Sequence, residues 1–397
     1  MRFSGFDDEW VVKKLNDVSN INPKTGDLPE TFIYIDLDSV NKGILTKYNQ
    51  INKVDAPSRA QRCLDVNDIL FQTVRPYQMN NLFFELTDNK YVASTGYAQI
   101  KSKINSRFLY YYLHYHKFVN NVLSRCTGSN YPAINSTDLK KIKIKIPSSP
   151  NEQLLIGDLF HKIDQKIKLL ENKHDYYLDF KKYLMQQIFA QKLRFDFNDE
   201  WRIRILNEIT FYQEGPGVRN YQYTKEGVKL LNVGNFVNNA LELDNTDKYI
   251  SNEEAYGKYK HFLVDEGDLL IACSGIKAEY FDEKIAFAEN KHLPLCMNTS
   301  TMRFKSLDEN TLNLRYLKYY FQTQSFKKQV FQVMTGSAQF NFGPTHLKYF
   351  KIPIPCLDEQ IKIYQMFESI DIKILNIYRE IMKVKEFKKG LLQQMFI

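Results

Sequence analysis

Cysteine is scarce in this chain of 397 residues, and its distribution excludes two common roles. The five cysteines are widely spread and contain no CxxC pair; they are Cys63, Cys126, Cys273, Cys296 and Cys356. A disulfide framework and the common structural zinc spacings are therefore excluded, and a reducing compartment is expected. No apolar run approaches the roughly eighteen residues of a membrane span, and the N-terminus lacks an apolar signal core. We predict a cytoplasmic protein that does not enter a membrane.

The chain also lacks the signatures of the common enzyme classes. It contains no P-loop, GxSxG, HExxH or GxGxxG motif, and no methyl-donor motif of the Asn-Pro-Pro-Tyr type. Acidic clusters at 265–268 and 282–283 are interpreted as turns rather than as nuclease metal sites. His114 and His116 lie two apart in a predicted helix, where they point to different faces and cannot share a metal. We predict no catalytic residue, metal or cofactor in this chain.

The overall composition is that of a globular protein with a basic surplus. Hydrophobic residues make up 44% and charged residues 25%, which argues against disorder. The net charge of +8 suits a polyanionic partner, although many cytosolic proteins are equally basic. The length is sufficient for two domains of ordinary size.

Two similar segments of the chain are predicted to be long helices. Glu152–Phe189 and Glu359–Phe396 share 15 identities in 38 positions at an offset of 207. Apolar residues recur every seven positions in both, with a second row four further on, which predicts an amphipathic helix about 57 Å long. A lone helix with so wide an apolar stripe needs a partner, and we predict that each copy pairs with the other. The alternative is an ordinary core helix within one domain.

The predicted pairing is antiparallel. In parallel register His174 and Lys181 would oppose Ile381 and Lys388, which is unfavourable. The residues predicted to form the helix pairing are Ile156, Phe160, Ile163, Ile167, Leu170, Leu184, Ile363, Phe367, Ile370, Ile374, Ile377 and Leu391.

Each long helix follows a module that is repeated as well. FDDEW at 6–10 matches FNDEW at 197–201, and DVNDILFQTVRP from Asp65 matches DEGDLLIACSGI from Asp265. An aromatic segment from Arg107, which has a counterpart from Arg315, is predicted to be a helix in each copy. A loop that begins Thr-Gly-Ser then leads to a short strand and a proline. The loops between these landmarks differ, so the two modules share an architecture and differ in what they contact.

We therefore predict an α+β fold with two tandem modules, each followed by one long helix. The ranges are 1–150 for the first module, 151–192 for the central helix, 193–356 for the second module and 357–397 for the C-terminal helix. Antiparallel helices would set the modules at opposite ends of a rod, related by a pseudo-two-fold axis. Because B-DNA has the same symmetry, such a rod could act as a ruler between two recognition modules.

Several loops combine cations, which bind phosphate, with amides and guanidinium groups, which bind base edges. The first-module candidates for DNA contact are Arg59, Arg62, Arg75, Tyr77, Gln78, Asn80, Thr127, Ser129, Asn130 and Tyr131. The second-module candidates are Arg219, Lys258, Lys260, Ser274, Lys277, Thr335, Ser337, Gln339 and Asn341. For any one of them the alternative is a solvated surface residue. The Thr-Gly-Ser loops are the stronger candidates because they recur in both modules.

These features together resemble the specificity subunits of type I restriction-modification enzymes. The resemblance rests on the FDDEW and FNDEW openings, the Thr-Gly-Ser loops, the Ile-Pro and Glu-Gln junctions and the LMQQIF and LLQQMF helix ends, and it covers essentially the whole chain. The chain departs from the family only in its short leader. In that family two target recognition domains each read half of a split double-stranded DNA sequence, and the paired helices fix the gap.

The resemblance further implies a non-catalytic subunit with enzymatic partners. Two methyltransferase subunits would supply S-adenosylmethionine chemistry on adenine, and restriction subunits would supply cleavage with ATP and Mg²⁺. None of these cofactors is expected in this chain. Two alternatives remain: a coiled-coil adaptor without DNA readout, and the recognition part of a fused methyltransferase or nuclease.

Overall fold

The chain forms two compact units, and each is described here by itself. The computed structural model describes residues 1–88, 90–244, 246–333 and 340–396. Unit 1 consists of Met1–Lys173 with Ile377–Ile397, and unit 2 consists of His174–Asn376. Each unit therefore contains one module, the start of the helix that follows it and the end of the other long helix. No helix in the described ranges is long and apolar enough to cross a membrane.

The first repeat combines short strands and short helices with one long helix. Its strands are β1 (Val11–Lys14), β2 (Ser19–Ile21), β3 (Thr31–Ile35), β4 (Val40–Asn41), β5 (Ile44–Leu45), β6 (Asn49–Asn52), β7 (Ala60–Cys63), β8 (Ile69–Gln72), β9 (Leu82–Phe83), β10 (Tyr91–Ser94), β11 (Tyr97–Ser102) and β12 (Lys143–Ile146). Its helices are α1 (Leu15–Val18), α2 (Ser106–Tyr112), α3 (His116–Leu123), α4 (Ser136–Lys141) and α5 (Pro150–Phe189), with 3-10 turns at Lys53–Asp55 and Pro76–Gln78.

The second repeat follows the same plan. Its strands are β13 (Arg202–Ile205), β14 (Thr210–Glu214), β15 (Val228–Leu231), β16 (Phe236–Val237), β17 (Ala240–Leu241), β18 (Tyr249–Ile250), β19 (Leu269–Ala272), β20 (Ser274–Ile276), β21 (Ile285–Phe287), β22 (Leu295–Met297), β23 (Thr301–Ser306), β24 (Phe340–Asn341) and β25 (Lys351–Ile354). Its helices are α6 (Leu206–Ile209), α7 (Asn252–Tyr256), α8 (Leu314–Phe321), α9 (Gln324–Val333), α10 (Pro344–Leu347) and α11 (Leu357–Met395), with 3-10 turns at Asn220–Gln222, Val233–Asn235, Lys260–Phe262, Ala278–Glu283 and Asn290–His292.

Sheet order confirms that the two modules share one α+β architecture. The antiparallel sheet β2-β11-β8-β9 of unit 1 has the same order as β14-β23-β19-β21 of unit 2. In each module the described residues also include a parallel pair, β3 with β10 and β15 with β22. The first strand of each module pairs with its last, β1 with β12 and β13 with β25. All four residues of β8 and of β19 are buried, as the sequence predicted for the strands that follow the acidic turns.

The single helix predicted for each aromatic segment is wrong, because the structure has two shorter helices there. In unit 1, α2 ends at Tyr112 and α3 begins at His116, so His114 lies in the break between them. In unit 2 the break falls at 322–323, where the hydroxyl of Thr323 accepts a hydrogen bond from the N–H of Phe326 and caps α9. The break lets both helices of each pair bury their aromatic rings in the same core.

The long helices pair antiparallel within each unit, as predicted. In unit 1 the Asp164 carboxylate of α5 accepts hydrogen bonds from Lys388 of α11 at 2.5 Å and from the Tyr111 hydroxyl at 2.8 Å. In unit 2 the roles are exchanged, and Asp371 of α11 receives Lys181 of α5 at 2.6 Å and Tyr319 at 2.9 Å. Each carboxylate thus takes its tyrosine from its own repeat and its lysine from the other repeat.

A stacked pair of aromatic rings joins the two long helices in each unit. Phe396, the last described residue of the chain, stacks on Phe160 at 5.7 Å between ring centroids, and Phe189 stacks on Phe367 at 6.1 Å. The predicted pairing residues are buried apart from Ile374, which is half-buried. At the start of each helix the apolar row also belongs to the core of the preceding module.

A buried carboxylate joins the start of each long helix to its module. In unit 1 the Glu152 carboxylate is 1% exposed; it accepts two hydrogen bonds from Arg2, both at 2.7 Å, and one from the Trp10 indole at 3.3 Å. In unit 2 Glu359 is fully buried and binds Arg194 at 3.1 and 2.7 Å and the Trp201 indole at 3.0 Å. The tryptophans of FDDEW and FNDEW therefore serve this joint.

Replacing the indole tests the joint without emptying the core. In Trp201→Phe a ring remains but Glu359 loses one hydrogen-bond donor, and we expect the free energy of unfolding to fall by about 1–3 kcal/mol. Trp10→Phe is expected to cost less, because its bond to Glu152 is longer. Urea unfolding followed by circular dichroism measures both changes. Tyr349→Phe, at a side chain that is 69% exposed, is the control. An unchanged unfolding midpoint for Trp201→Phe would contradict the role of the indole.

Candidate nucleic-acid interface

The loop that follows β8 in unit 1 is held in a strained conformation. Its 3-10 turn Pro76–Gln78 lies between Arg75 and Met79, which have φ of 55° and 52° in the left-handed region. Left-handed backbone at a residue other than glycine costs on the order of 1–3 kcal/mol and is found where surrounding contacts enforce it. The contacts that enforce it here come from a network of buried amides.

Gln72, the last residue of β8, is the centre of that network. Its side chain is 2% exposed; its Nε2 donates to Gln78 Oε1 at 2.8 Å and its Oε1 accepts from the Asn80 N–H at 3.1 Å. Its own N–H donates to the side chain of buried Asn81 at 2.9 Å, and Asn80 Oδ1 accepts from the Lys42 N–H at 2.9 Å. The network fixes the backbone at Asn80 and the side chain of Gln78 in the open part of the loop.

His114 supports the network from below. Its Nδ1 is 2.8 Å from the carbonyl oxygen of Tyr110, so Nδ1 carries the proton, and its Nε2 accepts from Asn81 Nδ2 at 3.3 Å. The pKa of His114 is lowered to about 4, chiefly by burial and in part by Lys388, while the hydrogen bond to the Tyr110 carbonyl and the charge of Asp164 oppose the shift. A neutral His114 is therefore required for the hydrogen bond from Asn81.

A cleft of unit 1 brings together five of the predicted contact residues. Arg59, Arg75, Gln78, Asn80 and Tyr131 line it, together with Leu37, Asp38, Val40, Asn41, Thr46, Lys47, Gln72 and Val74. The Arg75 guanidinium lies 4.2 Å from the centroid of the Tyr131 ring, and Tyr131 is 63% exposed. Three cations and one carboxylate give the cleft a positive balance, and its other polar groups are amides and hydroxyls that can bind base edges.

The remaining unit 1 candidates do not line this cleft. Arg62 lies in β7 and is half-buried, so its assignment to a loop is wrong; burial lowers the pKa of its guanidinium. Tyr77 is 49% exposed at the 3-10 turn, and Ser129 and Asn130 are exposed. The backbone of Thr127 pairs with Ala133 in both directions at 3.0 Å, so its N–H is not available to phosphate, contrary to the expectation for this loop.

In unit 2 the structure brings Ser274 and Asn341 together. Ser274 Oγ donates to Asn341 Oδ1 at 2.5 Å, and the Gly275 N–H donates to the same oxygen at 3.3 Å. Arg219, Lys258 and Lys277 are exposed, and Lys260 lines a different cleft with Arg303. Thr335, Ser337 and Gln339 lie outside the described residues.

The sequence reasoning missed Gln72 and Lys47. Gln72 carried a usable signal, because it is a polar residue at the end of a strand whose other members are apolar. Lys47 follows β5 in an ordinary loop and had no such signal. Among the described residues no cluster of three or more His, Cys, Asp or Glu side chains could hold a metal ion.

Comparison with known proteins decides which family has this architecture. The family model described as the type I restriction modification DNA specificity domain matches residues 7–175 and again 198–386. The chain belongs to that family. The two matches fall on the two repeats and together cover most of the chain. The DNA specificity domain is therefore present twice, in tandem.

Individual relatives agree with the family assignment. The type I restriction enzyme MjaVIII specificity subunit of Methanocaldococcus jannaschii is 21% identical, over 97% of this chain and 91% of its own length. The putative MjaX specificity subunit of the same organism is 24% identical, over 97% and 92%.

Solved structures share the fold. A chain from a type I restriction-modification system has a TM-score of 0.62 at 19% identity and is covered to 99%, as is this chain. The S subunit of M. genitalium has a TM-score of 0.60 at 14% identity, with 100% of this chain and 99% of that one covered. The HsdS subunit of Thermoanaerobacter tengcongensis has a TM-score of 0.51 at 20% identity, with 98% and 97% covered.

The half-buried side chain of His114 makes the stability of unit 1 depend on pH. Above pH 6.5 His114 is neutral in both the folded and the unfolded chain; between pH 6.5 and 4 only the unfolded chain binds the proton, so stability falls as pH falls. The shift of 6.5 minus 4 predicts a loss of about 3 kcal/mol by pH 4. His114→Gln, which introduces the residue found at the equivalent position 322, should reduce this slope. Urea unfolding at several pH values measures it, and equal slopes in the two proteins would refute the prediction.

Proposed function

We propose that this chain is the DNA specificity subunit of a type I restriction-modification complex and that each unit reads one half of a bipartite duplex site. The observation that carries the proposal is that the two units have the same architecture but differ in the residues and contacts of their loops. Sheet order, buried joint and helix pairing recur in both units, whereas the loop after β8 and the loop after β19 have different residues and different contacts. Two copies of one frame with different contact loops suit a target whose two halves differ.

The cleft of unit 1 has the chemistry for this role. Arg59 and Lys47 supply exposed cations suited to phosphate, and Gln78 and Asn80 supply amides that the Gln72 network holds in place. Phosphate contacts set the position on a duplex, whereas contacts to base edges carry the sequence information. A cleft that contains both kinds of group can do both.

Catalysis in this proposal belongs to partner proteins. Two methyltransferase subunits would bring S-adenosylmethionine to adenine, and restriction subunits would bring ATP, Mg²⁺ and cleavage. Tyr176 and Tyr183 of α5 are 63% and 57% exposed and lie seven residues apart, with Phe180 stacked on Tyr176 at 6.0 Å. An exposed aromatic row on a helix is typical of a surface that binds another protein, and we assign it to the methyltransferase.

Binding assays on the complex with its methyltransferase test DNA recognition. We expect the complex to select one split sequence from random duplex DNA, with affinity that falls as salt rises, by a log–log slope of about −0.9 per neutralised phosphate. Lys47→Ala and Arg59→Ala should lower the affinity for all DNA sequences by the same factor and reduce the magnitude of that slope. Lys13→Ala, at an exposed lysine of β1, is the control. Binding that is indifferent to both sequence and salt would exclude this function and favour a structural adaptor.

Helix length offers a separate test of the bipartite site. Seven residues inserted at matching positions of α5 and α11 lengthen both helices by about 10 Å, or about three base pairs. We expect the gap between half-sites to grow by that amount while both half-sites stay the same. The control replaces one heptad by another of the same length. A changed half-site, or an unchanged gap, would show that the helices do not set the spacing.

A further inference from the structure

Arg75 differs from the other cations of the unit 1 cleft in being held rigidly. Its N–H donates to the Pro132 carbonyl at 2.7 Å, next to Tyr131, and its own carbonyl accepts from the Gln78 N–H at 3.0 Å. A bridge between Val74 and Ala133 fixes the same two segments side by side. The backbone of Arg75 is therefore attached to the segment that carries the Tyr131 ring.

The guanidinium is held as well as the backbone. It lies over the Tyr131 ring, and its Nε is buried without a hydrogen-bond partner among the described residues. Among the described residues no carboxylate forms an ion pair with the Arg75 guanidinium, although Asp38 lines the same cleft. With the ring beneath it and Nε enclosed, the two terminal amino groups are the part left for a ligand.

A fixed guanidinium suits a base edge better than a phosphate. The paired terminal donors of arginine match O6 and N7 of guanine in the major groove, which is the commonest base-specific contact that proteins make. A phosphate can also be bound by a flexible lysine that acts as a point charge, so a phosphate contact does not require a guanidinium that is held in place. Strained backbone, stacking and an enclosed Nε would serve little purpose at a phosphate contact.

Among the residues that the structure describes, unit 2 has no such group at the equivalent place. The pairing is the same: the Phe342 N–H donates to the Cys273 carbonyl at 3.0 Å, as the Ile134 N–H donates to the Thr73 carbonyl at 3.0 Å in unit 1. The residue that corresponds to Arg75 in the repeat is Gly275, and the nearby Asn341 has its Oδ1 occupied by Ser274 and Gly275.

We propose that Arg75, held against Tyr131, reads a guanine in the half-site bound by unit 1, and that unit 2 makes no equivalent contact. The inference rests on the proposed function and adds the identity of one base pair in the target site. Only one half of the target then contains a G·C pair whose selection depends on this guanidinium.

The decisive variant is Arg75→Lys, which keeps the charge and loses the paired donors. The complex with the methyltransferase is used to select duplexes in which both half-sites are randomised. We expect Arg75→Lys to lower the preference for G·C at one position by about ten- to a hundred-fold and to leave the other half-site unchanged. Tyr131→Leu, which removes the ring beneath the guanidinium, should weaken the same preference in part. Arg204→Lys, at an exposed arginine of β13, is the matched control.

The outcomes separate this inference from the function on which it rests. Uniform weakening of all sequences by Arg75→Lys would identify a phosphate contact and overturn the assignment. A loss at a position other than G·C, or in both half-sites, would overturn it equally. If the unmodified complex selects no sequence, the proposed function itself fails. Melting temperatures of the variants within about 2 °C of the unmodified chain would show that the fold is intact. A change of about 1 kcal/mol in the free energy of unfolding shifts the melting temperature of a domain of this size by about that much or more.

Discussion

A carboxylate without access to water is the constraint on which each unit depends. Glu152 and Glu359 are almost completely buried, and such a charge is tolerated only when its oxygens are fully paired. Arg2 or Arg194 supplies two donors and a tryptophan indole supplies the third. The arginine comes from the segment that precedes the first strand of the module, and the tryptophan is the residue directly before that strand. The start of the long helix is thereby joined to the start of its module, and the direction in which the helix leaves is fixed.

A second pair of carboxylates, which are half-buried, determines how the helices meet in each unit. Asp164 and Asp371 each need a lysine, and in each unit that lysine comes from the other repeat. Parallel pairing could not bring both lysines to their partners, because Lys388 lies near the end of α11 and Asp164 near the start of α5. Burial of the apolar rows stabilises the helix pairing, and these two ion pairs determine the orientation and the register of the paired helices.

Sequence patterns predicted the frame much better than the site. The strands β8 and β19, the long helices and their antiparallel pairing follow from periodicity and from the repeat, which are local signals or copies of local signals. The cleft depends instead on the pairing of Val74 with Ala133, far apart in the chain, and nothing in either segment indicates the other. Arg75 and Tyr131 were predicted from residue type, but their stacking was not. Gln72 was missed because its buried amide acts only by hydrogen bonding to the loop residues Gln78 and Asn80, and the sequence does not show these contacts.

The two modules also differ in how they pair one buried carboxylate. In unit 1 the buried Asp68 accepts from the neutral amide of Gln99 at 2.7 Å, and burial raises the pKa of this carboxyl. In unit 2 the corresponding Asp268 faces Arg303 at 3.3 Å. In each module the carboxylate is thus paired by a strand residue of the same module. Because a strand residue and not a variable loop pairs this carboxylate, the residues of a loop can change what they contact without loss of the fold. Recognition can therefore differ between two units that are built alike.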